Sequence, residues 1–327
     1  MVFMIDKEEL IRIVQNFKNS HVLVLGDVML DIYEDGDVDR ISPEAPVPII
    51  HIKKEKHILG GAANSANNIA SFGAKVTCMG VVGDDEHGSK LDSLFANIDV
   101  DSLLIAEPDR RTTTKTRIMS RQQIVRIDKE DTHQISEVTE KKIIEAIKSM
   151  DFNAVVLSDY AKGTLSKNIC RNIIEISNAR KIPVIIDPRP SNTEFYSGAF
   201  LITPNHKEAC QMSGVLENNG PELGSVGPRL QAMLDSHILI TRGAKGMTLY
   251  EKGSEEKHIP TKSQEVIDVT GAGDTVASTI GLALASGANL HQASIIANYA
   301  AGIVVGKLGT STCTRDELIS AIRDDVE

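Results

Sequence analysis

The chain has 327 residues, 41% of them hydrophobic, with 45 acidic against 35 basic side chains and a net charge of −10. That length suits one large α/β domain or two ordinary ones, and the mixed charges with so many apolar residues exclude wholesale disorder. The acidic balance excludes a protein that coats nucleic acid, but not a local basic pocket for a small anion.

The N-terminus, MVFMIDKEEL, carries acids where a signal peptide needs a basic start and a long apolar run. No run of 18 apolar residues is present, so no membrane span is expected. Residues 6–20 read as an amphipathic helix, with Leu10, Val14 and Phe17 at helical spacing. Short apolar runs follow, each closed by polar or turn residues: HVLVLGD at Asp27, AVVLSD at Asp159, IPVIID at Asp187, FLITPN at Asn205 and HILITRG at Arg242 and Gly243. Helical patterns cover 166–179 and 206–213. Buried strands alternating with helices predict a doubly wound parallel sheet. Ligands bind such sheets beyond the carboxyl ends of the strands, where Asp27, Asp159, Asp187 and Asn205 fall.

Two segments break the rhythm. Residues 32–52 contain three prolines, which argue against a helix or a central strand. Residues 112–128 alternate on either side of Ser120-Arg121 as a β-hairpin does. Together they are expected to form a small antiparallel flap. Residues 214–228, rich in Gly, Asn and Pro, read as a loop. Cys78, Cys170, Cys210 and Cys313 are far apart and read as buried, reduced thiols of a cytosolic protein; no zinc spacing is present. Without repeats or a linker, residues 1–327 read as one domain.

Two glycine-rich turns stand out. GGAANSANNIASFG starts at Gly60 and runs into a helical pattern ending at Gly73, a C-cap candidate. Gly60 and Gly61 permit close approach of a ligand or another backbone, and Asn64 and Asn68 share one helix face. DVTGAGDTVAS lacks the lysine of a P-loop. A helix over 274–286 places the N–H groups of Gly271, Ala272 and Gly273 at its N-terminus, where they can bind an anion. Asp274 then reads in two ways: a cap or first-turn acid, or a general base beside an anion hole, as phosphoryl transfer requires.

In their order and separation these two motifs resemble the signatures of the ribokinase-like carbohydrate kinases, also called the phosphofructokinase B family, over about residues 20–320. RISPEAPVPII, TTTKTRIMSRQQIVRID, LSDYAKGTL, TPNHKEA and AAGIVVGKLGTST are similar to the branch that phosphorylates D-glycero-D-manno-heptose 7-phosphate in ADP-heptose synthesis. RISPEAPVP is the most telling, because it lies in the flap. In many members of that branch a nucleotidyltransferase domain follows. The resemblance implies a stand-alone kinase here, with adenylyl transfer on another polypeptide.

The resemblance implies a ribokinase-like three-layer α/β fold with a mostly parallel sheet and an antiparallel β-lid, about 32–52 and 112–128. It implies a cytoplasmic homodimer joined through the lid, using ATP and Mg²⁺ to make heptose 1,7-bisphosphate, with no nucleic-acid or membrane partner. Asp274 would be the base, with the amides of Gly271, Ala272 and Gly273 on the transferring group. Asn205, His206, Lys207 and Glu208 would lie at the ATP phosphates, Glu208 acting on Mg²⁺ through water. ATP would run past Thr241, Arg242, Gly243, Gly246 and Asn298. Asp27, Asp31 and Asn64 would meet sugar hydroxyls, beside Gly60, Gly61 and Asp159. Lys115, Arg117, Lys162 and Arg189 are candidates for the substrate's phosphate, Arg as a planar fork and Lys as a point charge. Lys115 and Arg117, two apart on a strand, face one side. The alternatives are a kinase for another sugar or phosphosugar and an inactive sugar-sensing homologue; the intact Asp274 turn argues against the second. A dinucleotide-binding dehydrogenase lacks its GxGxxG.

Overall fold

The computed structural model describes residues 6–215, 223–262 and 266–325. The start of the N-terminal decapeptide and part of the 214–228 segment lie outside them. Helix α1 (Lys7–Asn16) is capped by Asp6, whose carboxylate accepts the N–H groups of Glu8 and Glu9, and it buries Leu10, Ile11, Ile13 and Val14. The chain continues through β1 (His21–Gly26), β2 (Val28–Ile41), β3 (Pro48–Gly61), α2 (Ala62–Ser71), β4 (Lys75–Gly83), α3 (Glu86–Phe95) and β5 (Asp101–Glu107). Next come β6 (Thr114–Ser120), β7 (Gln122–Lys129), α4 (Glu137–Ser149), β8 (Ala154–Ser158), α5 (Lys167–Ala179), β9 (Val184–Asp187), β10 (Leu201–Ile202) and α6 (His206–Ser213). The last part holds α7 (Leu223–Leu234), β11 (His237–Thr241), β12 (Met247–Tyr250), β13 (Lys257–Ile259), α8 (Ala272–Ala285), α9 (Leu290–Val305) and α10 (Arg315–Asp324).

Among the described residues the main sheet runs β13-β12-β11-β10-β9-β8-β1-β4-β5. It is parallel from β11 to β5, and antiparallel pairs add β12 and β13 at one edge. Its central strands read as unbroken apolar runs because both faces are covered. Alternate side chains divide between two cores. Val22, Val24, Ala154, Val156 and Ile185 join the core under α1, α2, α8, α9 and α10. Leu23, Leu25, Val155, Leu157, Val184 and Ile186 join the one under α4 to α7. The result is the three-layer α/β arrangement. Strand order reverses between β1 and β8, and the crevice at such a switch point is where ligands enter open α/β sheets. Asp27 follows β1, Asp159 follows β8, Asp187 ends β9, and Asn205 follows β10.

A second sheet, β3-β2-β6-β7, stands off the switch point. It is mixed rather than antiparallel, because β2 and β6 run parallel. Both strands leave the main body in the same direction, one after β1 and the other after β5. Residues 32–41 also lie on an inner strand, against the expectation drawn from the prolines. Pro43 and Pro46 fall in the turn between β2 and β3, and Pro48 is the first residue of β3, so no inner ladder bond is lost. The β6–β7 hairpin turns at Arg121, at φ 61°. The loop read over 214–228 is shorter than expected, since α7 starts at Leu223 and holds Pro228 inside it. There Gly227 lies against the Tyr250 ring, where a Cβ would come within 2.4 Å, so packing overrides propensity.

All four cysteines are buried and none forms a disulfide. Among the described residues no helix is long and apolar enough to cross a membrane.

Candidate active site

The two glycine-rich motifs meet in space. Helix α2, following Gly61, packs on α8, following Gly271. Ser278 donates to the Ser65 carbonyl at 3.0 Å, and Thr275 donates to the Asn68 side chain at 3.0 Å. Gly271 caps α8 at φ 79°, and a Cβ there would crowd the Asn64 amide at 2.9 Å. The turn is fixed by Asp268, which accepts from the Thr270 N–H and hydroxyl and from the Gly309 N–H. The Ala272 N–H is bonded to the Val269 carbonyl, so of the three amides expected to hold an anion it is already engaged.

Asp274 lies in the first turn of α8 and is 4% exposed. The Asn64 amide donates to its Oδ2 at 2.8 Å and the Tyr160 hydroxyl to its Oδ1 at 2.9 Å, with Ser65 at 3.4 Å. Burial pushes this carboxyl up to about 6, against the pull of those three donors. A carboxyl tuned toward neutrality beside a cleft is what a general base needs.

Two chambers flank the α8 turn. The first, about 160 Å³, is lined by Asp159, Tyr160, Asp187, Arg189, Asn205, Glu208, Gly271, Gly273 and Asp274, among others. Asp187 is raised well above the usual carboxylate range, by burial first and then by Asp274 and Glu208. Asn205 and Glu208 form a reciprocal cap on α6, the Glu208 carboxylate accepting the Asn205 N–H at 2.9 Å. The other Glu208 oxygen stands 3.7 Å from Arg189. The cation among the described residues lining this chamber is Arg189. Such a carboxylate-rich chamber fits Mg²⁺, which takes one or two carboxylates and completes its shell with water and phosphate oxygens. Among the described residues no three His, Cys, Asp or Glu side chains form a cage for a metal, so the ion's remaining ligands would come from bound phosphate and water.

The second chamber, about 480 Å³ and mainly apolar, is lined by Thr241, Gly243, Gly246, Met247, Val269, Ala272, Gly273, Val276, Asn298 and Val305, among others. Thr241 and Gly273 line both chambers, so the two connect at the α8 turn. Gly246, at φ 75°, has no room for a Cβ, which would stand 2.1 Å from the Ile259 carbonyl oxygen. Arg242 does not line this chamber; it donates to Thr248 and lines an adjoining groove that shares Ala244 and Thr261 with the chamber. His206 and Lys207 line neither chamber; His206 turns toward Cys210, and Lys207 is exposed.

On the lid side, Arg117 reaches Asp31 at 2.8 Å, and Lys162 reaches Glu130 at 2.7 Å. Lys115 stands 5.0 Å from the centre of the Tyr160 ring, and Arg189 5.5 Å. Burial pulls Lys115 below its ordinary value. A Cβ on Gly60 would meet the Asp31 carboxylate at 3.0 Å, and one on Gly61 the Asp27 carbonyl oxygen at 2.4 Å. Asp159 accepts from the Ala161 N–H, the Asn192 amide and the Tyr196 hydroxyl. Asp27, expected at the sugar, has a carboxylate that accepts only backbone N–H groups of 160–164 among its described bonds. Sequence reasoning placed Asp187 on the ligand-binding edge of the sheet without assigning it a task, and gave no role to Tyr160. Asp187 had a usable signal, an acid closing a buried strand; Tyr160 had none beyond following Asp159.

The pattern of the pfkB family carbohydrate kinases matches residues 19–317. The Bifunctional protein HldE of Geobacter sulfurreducens is 41% identical over 307 residues, covering 92% of this chain and 63% of that protein. The HldE of Caulobacter sp. strain K31 is 45% identical over 323 residues, covering 95% of this chain and 64% of its own length. The chain thus spans a little under two thirds of these relatives. Among solved structures, Arabidopsis thaliana ribokinase complexed with ribose and ATP superposes with a TM-score of 0.70 at 18% identity, covering 93% of this chain and 99% of that one. Escherichia coli phosphofructokinase-2 in complex with potassium gives 0.76 at 17% identity, over 93% and 98%. At such identities these structures show the fold alone.

Proposed function

Since the chain belongs to the pfkB family of carbohydrate kinases, we propose that it transfers the γ-phosphoryl group of ATP to the anomeric hydroxyl of D-glycero-D-manno-heptose 7-phosphate. The product is heptose 1,7-bisphosphate, for ADP-heptose and lipopolysaccharide inner-core synthesis. The observation that carries phosphotransfer is the buried Asp274 carboxylate, held by Asn64 and Tyr160 at a glycine turn where two chambers meet. The choice of sugar rests on the resemblance of RISPEAPVPII and the other lid and loop stretches, and on 41–45% identity to HldE proteins.

The apolar chamber takes the adenine and ribose, between Thr241, Gly246 and Asn298. The phosphates extend past Gly273 toward Asn205, Glu208 and Arg189. Asp187 and Glu208 would hold Mg²⁺, which would supply positive charge against the phosphate oxygens. The sugar lies under the lid beside Asp31 and Asn64. Asp274 takes the proton of the attacking hydroxyl, and the Gly271 and Gly273 amides face the transferring group. Lys115, Arg117 and Lys162 line the approach from the lid and suit a phosphorylated sugar; Arg117 and Lys162 exchange their present carboxylate partners for its phosphate.

Exposed apolar side chains on the lid, Ile41, Ile52, Val125 and Ile127 among them, favour a homodimer joined lid to lid. Buried thiols without disulfides suit the reducing cytoplasm. A panel of sugars and phosphosugars with coupled ADP detection tests the assignment. Heptose 7-phosphate is expected to be the preferred acceptor by kcat/KM; preference for a neutral sugar would overturn it.

A further inference from the structure

Asp27 is 1% exposed, and its carboxylate is occupied by backbone. Its Oδ2 accepts the N–H groups of Tyr160 at 2.8 Å and Lys162 at 2.9 Å, and its Oδ1 accepts that of Thr164 at 3.0 Å. The Ala161 N–H goes to Asp159 at 2.7 Å. Four of the five N–H groups from 160 to 164 therefore end on two buried carboxylates. To aim them so, the backbone adopts left-handed conformations, with Ala161 at φ 55° and Gly163 at φ 92°. A Cβ at 163 would stand 1.9 Å from the His133 carbonyl oxygen. A non-glycine residue at positive φ persists only where its surroundings over-determine it. The opposite edge of the loop is held by Arg110, 7% exposed, which donates to the Lys162 carbonyl at 2.7 Å. An anion grips the N–H edge and a cation grips the carbonyl edge.

This loop carries Tyr160, whose hydroxyl donates to Asp274 at 2.9 Å and whose ring lies near Lys115 and Arg189. One of the two close donors that orient the Asp274 carboxylate is thus placed by the fold of 160–164. We propose that Asp27 is a positioning residue for phosphotransfer: it shapes the 160–164 loop so that Tyr160 fixes Asp274, and it does not touch the sugar. The kinetic consequence rests on the proposed function; the loop anchoring does not. Asn in place of Asp27 turns one acceptor oxygen into a donor. Either Thr164 or the pair Tyr160 and Lys162 would then face an NH₂ group, and the loop must shift.

The test has two arms. The first is backbone amide hydrogen exchange by NMR on the unaltered protein, which needs no substrate. The amides of Tyr160, Lys162 and Thr164 are expected to be protected although they lie outside helices and strands, and fast exchange at all three overturns the anchoring. If Asp27→Asn does not fold, this arm still decides. The second arm is steady-state kinetics. Asp27→Asn is expected to lower kcat by about 10- to 100-fold, with the sugar KM changed by less than about threefold. Added to Tyr160→Phe, it is expected to cost little more, because both act through one contact. Additive losses, or a raised sugar KM at normal kcat, would overturn the positioning role. If the unaltered enzyme does not phosphorylate heptose 7-phosphate, the proposed acceptor fails, while the exchange arm still tests Asp27.

Discussion

Asp274 is buried at the head of α8, and its carboxyl is raised to about 6 by that burial. The folded protein thus holds this proton more tightly than the unfolded chain does. In this window stability rises as pH falls from about 6 toward the ordinary aspartate value of 3.8, and the ionised form lowers stability above about 6. Asp274→Asn is therefore expected to cut turnover by about 10²–10⁴-fold and to melt at or above the unaltered protein at pH 8. Near-normal turnover would contradict the base assignment. In the unaltered enzyme kcat/KM is expected to fall about tenfold for each pH unit below about 6, as the free base is protonated. Arg117 lies in the part-buried pair with Asp31. Arg117→Ala is expected to raise the phosphosugar KM at least about tenfold while leaving the Mg-ATP KM unchanged; equal effects on both substrates would remove Arg117 from the sugar site.

Elements explain which of these residues could be foreseen. β1, β8, β9 and β11 were legible as continuous apolar runs because both faces of the sheet are covered. β2 was not, because Pro43, Pro46 and Pro48 colour the whole stretch while structurally confined to the turn and the first residue of β3. The lid's exposed apolar residues include Ile41 at 62% and Val125 and Ile127 at 45% each. The proposed lid-to-lid dimer would bury such side chains, so Ile127→Asp is expected to convert it to a monomer by light scattering. A monomeric unaltered protein would contradict the lid interface. The 160–164 loop makes its own demand: Gly163→Ala has no room at the His133 carbonyl. It is expected to lower stability by at least about 1–3 kcal/mol in a denaturant melt, and an unchanged midpoint would show that the loop yields cheaply.

At the scale of the whole molecule, residues from 27 to 274 converge because the strand order reverses between β1 and β8. The motifs at Gly60 and Asp268 were readable as separate signals, and their pairing gave the family. Their contact through Asn64 and Asp274 depends on α2 packing on α8, which neither motif spells out. Asp27 and Asp31 looked alike as acids beyond one strand; only the fold separates them, sending one to backbone N–H groups and the other to Arg117. Lys207 and Arg242 share motifs with chamber-lining residues but line neither chamber themselves, because motif membership fixes a position on the backbone and not a side-chain direction. The proposed reaction is the transfer of a phosphoryl group to the anomeric oxygen of a phosphosugar. It is tested most directly by incubating the protein with Mg-ATP and synthetic heptose 7-phosphate and assigning the product by phosphorus–proton NMR. The expected result is one ADP per sugar and a second phosphorus signal coupled to the anomeric proton; a new phosphate on any other carbon, or no new sugar phosphate, would contradict it.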